Sequence, residues 1–168
     1  MSRSILADAF DHHVWATVHL LDACTQLTSD QLGATVTGTY GSIIDTLRHI
    51  VGADVAYLEV LAGDQADFDE EAATLTDLRS RMVTHLRAWA GVVADDPDPD
   101  TEAIRYRDDG SEGHAPTGIR LAQVLHHGTD HRSQVCTTLT SLGIEPPEID
   151  VWAFAQSQGR YREVPPPA

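Results

Sequence analysis

Leu125-His126-His127-Gly128-Thr129-Asp130-His131-Arg132-Ser133-Gln134-Val135 holds two histidines, His127 and His131, four residues apart. On an α-helix that spacing stacks their imidazoles one turn apart on one face, where they can grip a single cation. Val124, Val135, Leu139 and Leu142 continue the same stripe at helical spacings. The stripe is therefore the buried side of an amphipathic helix, interrupted by two polar rings. Burying a neutral imidazole without a partner costs about 1–3 kcal/mol, so the pair needs a reason to be there. Spacing alone is a weak motif: with nine histidines in 168 residues, about 0.5 such pairs arise by chance. Core histidines bonded to neighbouring groups are the alternative, and a third ligand from elsewhere would decide against it.

Helical periodicity extends outward from this block. Thr117 is positioned to cap the helix carrying the pair, and Gly143, with Pro146-Pro147 beyond, ends it. Asp150 starts a short final helix whose Trp152 and Phe154 are expected to close one end of a bundle, and the tail over 160–168 is expected to be flexible. Upstream, Asp108-Asp109-Gly110-Ser111 between 104–107 and 112–116 predicts a small hairpin. Before it, a helix over 75–94 has Thr76 as its cap and Leu78, Met82, Leu86, Trp89 and Val93 on its inward face. The acidic run 64–71 reads as a solvated loop.

A helix over 42–61 is capped by Ser42 and closed by Gly63. Its stripe is Ile43, Leu47, Ile50, Asp54 and Leu58, with His49 at the edge of the buried face. Residues 28–41 read as a connecting loop. The first helix, over 4–27, buries Leu6, Phe10, Leu20, Leu21, Cys24 and Leu27, with His13 and Thr17 interrupting the stripe. The implied class is all-α: a four-helix bundle with a small hairpin before the last long helix and a short C-terminal helix, in one domain over 1–168.

Composition narrows the partners. Apolar content of 42% and charged content of 22% are ordinary, but a net charge of −15 is not. So acidic a surface repels phosphate backbones and anionic lipid, so nucleic acid and membrane are excluded as partners. All 11 basic residues are arginine. Cys24 and Cys136 are isolated thiols, as expected in a reducing cytoplasm. The N-terminal segment has no apolar core of a signal peptide, and no stretch is long enough to span a membrane.

His49 and the His127/His131 pair can supply three nitrogens to one metal, leaving a position open for water or substrate. Leu47-Arg48-His49-Ile50, the block 125–134, and Leu142-Gly143-Ile144 followed by prolines resemble the DinB/YfiT-like metalloproteins. That family's signature is a histidine in the second helix and a His-x3-His-Arg-x-Gln block in the last long one. The resemblance runs from Trp15 to Asp150 and departs at Ser133, where the family usually has glycine. It carries the ligand triad onto His49, His127 and His131. Gln134 lies one turn beyond His131 as an outer partner, and Asp45 and His13 are candidates for a general base. His126 and Asp130 form a competing pair that faces solvent, and Arg132 is expected in a structural ion pair. His12, His19, His85 and His114 belong to no constellation.

Three neutral imidazoles leave a divalent ion, zinc foremost with nickel, iron and manganese as alternatives, its full charge. Such an ion brings coordinated water toward neutral pKa and deprotonates a coordinated thiol. The resemblance implies the second chemistry: a homodimeric transferase or isomerase using a low-molecular-weight thiol, mycothiol or bacillithiol, on a small electrophile. An arginine-only composition, as in a high-GC bacterium, tilts the thiol toward mycothiol. A metal-dependent hydrolase and a non-enzymatic metal-binding stress-response or interaction bundle are the alternatives.

Overall fold

The computed structural model describes residues 4–64 and 67–166. Residues 1–3 of the N-terminal segment, 65–66 of the acidic run and 167–168 of the tail lie outside it. Every helix but the longest begins where a side chain can take up its free N–H groups. Ser4 accepts from the Ala7 N–H at the start of α1 (Ile5–Cys24), and Ser42 from Asp45 at the start of α3 (Ile43–Ala62). Gly63, left-handed at φ 67°, closes α3. The helix α4 (Leu75–Ala94) is capped by Thr74 rather than Thr76, because Thr74 has Asp77 three residues on and the two exchange hydrogen bonds. Within the stretch read as a loop, a one-turn helix α2 (Ser29–Leu32) forms behind a Thr28/Gln31 capping box.

The predicted hairpin is present as antiparallel β1 (Glu102–Tyr106) and β2 (Glu112–Pro116), with Ile104 opposite His114. It also corrects the start of α5 (Thr117–Ser141), for which Thr117 provides no cap. The Thr117 N–H and hydroxyl both donate to the Thr101 carbonyl, and the Gly118 N–H donates to Pro99. Arg120 reaches the carbonyls of Ala103 and Gly113. The hairpin backbone therefore holds this helix end in place of a side chain. A last short helix, α6 (Val151–Ser157), is capped by Asp150.

The helices α1, α3, α4 and α5 form the bundle: α1 lies along α4, and α3 packs on both α4 and α5, with α1 also touching α5. Phe10, Leu20, Leu47, Ile50, Leu78, Met82, Trp89 and Leu139 are buried between them. Several apolar assignments change. Leu86 is 43% exposed, and His85 and Val92 take the inward positions on α4. Trp152 stands out at 68% exposure while Phe154 alone closes the end, against Trp15. Leu142 sits past the last turn and is partly exposed. No described helix is long and apolar enough to cross a membrane.

A polar chain crosses this core and engages all four long helices. Asp54 of α3 accepts from His13 Nε2 of α1 at 3.0 and 3.1 Å and from the Trp89 indole of α4 at 3.1 Å. His13 Nδ1 lies 3.0 Å from Arg132 Nη1 of α5. A guanidinium can only donate, so Nδ1 accepts and Nε2 carries the proton toward Asp54. Arg132 also donates to Thr17 and Thr129. Arg132 points away from the histidine pair as expected, but at 3% exposure it bonds directly to His13, Thr17 and Thr129 and reaches a carboxylate, Asp54, only through the His13 ring. Gly128, one turn earlier, makes room, since a Cβ there would overlap the His13 ring.

Burial alone would raise the Asp54 carboxyl, but His13 and then His85 outweigh it and hold it well below the usual carboxylate range. Burial pulls Arg132 down to about 10, with Asp54 opposing. Removing one partner of such a pair strands the other, so Asp54→Asn is expected to cost about 3–5 kcal/mol in urea unfolding. The same group sets an acid dependence. Its folded value lies below its unfolded one, so the unfolded chain binds more protons as pH falls. This stability is present above about pH 4 and lost as pH drops through the folded value. Asp54→Asn should flatten stability against pH in that window; an unchanged slope would refute the assignment.

Candidate metal centre

The helices α3 and α5 bring His49, His127 and His131 together. One nitrogen from each ring lies within 4.8 Å of the others. His49 Nε2 and His127 Nε2 are 2.9 Å apart, and His131 meets both rings edge-on with centroids at 4.9 and 4.4 Å. All three side chains are half-buried. Nitrogens around a tetrahedral ion at 2.0–2.1 Å lie about 3.3–3.4 Å from one another, a value between the 2.9 Å of the His49/His127 pair and the 4.8 Å that bounds the cluster, so modest ring shifts bring the three to that spacing. The two Nε2 atoms of His49 and His127 stand at hydrogen-bond distance, so one ring can donate to the other. The donor set and its spacing fit a metal ion.

Electrostatics favour the ligating form. Burial, then the neighbouring His131 and His49, push His127 down to about 4. His49 is lowered for the same two reasons, burial first and His131 second. Unprotonated imidazoles are what a metal requires.

The surrounding groups orient the rings. Gln134 Oε1 accepts from the Tyr40 backbone N–H at 2.9 Å, which identifies that atom as the amide oxygen. His131 Nδ1, 3.0 Å from the same oxygen, must then donate to it and leave the Nε2 lone pair facing the cluster. The Tyr40 ring stacks on His49 with centroids 4.1 Å apart and an 11° tilt, and meets His131 edge-on. Tyr40 was hidden within a glycine-rich connection; an aromatic just ahead of the Ser42 cap was the available signal.

The DinB family model matches residues 1–164. The chain belongs to the DinB family. No curated protein matches it. The family match covers both histidine-bearing helices of this DinB chain and every element between them.

The other sequence-derived candidates of the DinB chain fall elsewhere. Asp45 is engaged at its own helix start, with Ser42 at 2.5 Å and Arg48 at 3.7 Å. His13 has both nitrogens committed in the core. His126, Asp130 and Ser133 are exposed. Burial raises the Cys24 thiol to about 12 and also raises Cys136, so neither is primed as a nucleophile. His85, assigned nothing from sequence, is buried with Nδ1 unpartnered 3.6 Å from Asp54. Long-range proton–nitrogen NMR should find His131 with its proton on Nδ1 and lose that preference in Gln134→Leu. An Nε2–H tautomer in the unmodified protein would overturn the orientation.

Proposed function

We propose that His49, His127 and His131 hold one divalent cation, zinc foremost with nickel, iron and manganese as alternatives. We further propose that the protein is a metal-dependent transferase or isomerase, homodimeric, joining a low-molecular-weight thiol of the mycothiol or bacillithiol type to a small electrophile. The carrying observation is the convergence of three imidazoles, 78 residues apart between His49 and His127, within ligand distance of one another. Family membership supports the same reading.

Three protein ligands leave a coordination position for a reactant. The bound ion would supply Lewis acidity that brings a thiol or water in that position to its anionic form near neutral pH. The protein's own part is positional. Gln134 keeps the His131 lone pair turned inward, and the Tyr40 ring covers one face of His49 and limits water there. Asp45 and His13 are each held elsewhere, so no general base is assigned.

Metal analysis of the purified protein should find about one ion per chain. His127→Ala and His131→Ala should each weaken binding by more than the roughly 10–100-fold typical of outer partners. A panel of thiols with a generic electrophile then sorts the chemistry. Thiol-dependent turnover stopped by a chelator supports the transferase reading, and thiol-independent turnover indicates a hydrolase. Full metal occupancy with no turnover indicates a binding protein. Absence of stoichiometric metal, with no change in His131→Ala, would sink the site itself.

A further inference from the structure

We propose that Glu70 is the positioning carboxylate of this centre, holding His49 in the tautomer that ligates; the inference rests on the metal reading above. His49 turns Nε2 toward His127, which makes Nδ1 its outward nitrogen. Glu70 Oε1 lies 3.8 Å from that Nδ1, an ion-pair separation on the side of the ring away from the cluster. The carboxylate is 44% exposed and the imidazole 28%, so the contact is partly shielded from water.

The helix is shaped to receive it. Gly52, three residues after His49 on the same face of α3, has no side chain, and a Cβ there would collide with the Glu70 carboxylate, with Cγ only 3.2 Å away. Glycine in a helix interior is unfavourable beside alanine. Here its bareness forms the notch in which the carboxylate sits.

Chemistry supplies the consequence. A neutral imidazole carries one N–H. On Nε2 it points at His127 and blocks the lone pair a cation needs; on Nδ1 it points at Glu70 and frees that lone pair. A carboxylate beside Nδ1 favours the second form and makes the ring a stronger donor. It also brings a negative charge close to a set of three neutral ligands. Gln134 does the equivalent for His131 with a neutral oxygen. Glu70 lies outside the helices, near the end of the acidic run 64–71, where its charge reads from sequence as solvated.

Cobalt(II) serves as the probe, since its visible spectrum reports ligand geometry as well as affinity. Glu70→Gln should bind about 10–100-fold more weakly with a shifted spectrum. Gly52→Ala should weaken binding in the same direction while raising the melting temperature, because it displaces the carboxylate yet improves the helix. The double variant should bind no more weakly than Glu70→Gln alone. Glu71→Gln controls for bulk charge and should change affinity less than about twofold. Unchanged affinity and spectrum in Glu70→Gln, or an equal loss in Glu71→Gln, overturns the proposal while the metal site stands. If the unmodified protein binds no cobalt, or His127→Ala binds as well as it does, both readings fall together.

Discussion

Arg132, His13 and Asp54 form one hydrogen-bonded line through the bundle, and the rest of the architecture is arranged so that it closes. A buried cation and a buried anion are tolerable only when the groups between them are satisfied. Here one imidazole does that by accepting from the guanidinium and donating to the carboxylate. Each member comes from a different helix, and the Trp89 indole adds the fourth. Such a line has a single solution in register and helix roll, whereas an apolar seam of Leu and Ile would accept several.

That solution aims the histidine pair. Arg132 follows His131 directly, so the two side chains diverge by about 100° around the helix axis. With the guanidinium drawn toward α1, His131 and His127 turn toward α3. Gly128 permits the close approach of α1 and α5 on one side, and Gly52 permits the approach of Glu70 on the other. Two bare helix positions therefore flank the cluster, one serving the core and one the outer carboxylate.

Much of this was legible in the residues. Period-3.6 stripes placed the four long helices to within a few residues, and Asp109-Gly110 marked the hairpin. His127 and His131 were visible as a pair, but periodicity left His49 merely on an edge, and it was the family resemblance that brought it in. What escaped was whatever depends on a distant partner. Arg132 has the composition of a surface residue and is buried because His13, 119 positions away, accepts from it. His85 and Leu86 are adjacent, and hydrophobicity chose the wrong one, since Asp54 rather than an apolar neighbour draws the inward side chain. Polar residues on the inward stripes at 13, 17 and 54 were the clue that a shared network lay inside. Tyr40 and Glu70 sit outside the long helices, where no periodicity speaks.

Two of the three clustered imidazoles share one helix, so the pitch of α5 sets their separation whatever the rest of the molecule does. The third stands on α3. The distance between these two helices is therefore the one dimension of the cluster that can widen or narrow, and Ile50, Val124 and Val135 in the shared core help set it. If the proposed cation is held there, discrimination by ionic radius would belong to aliphatic side chains behind the ligands, and trimming or enlarging them would be the way to retune the bite.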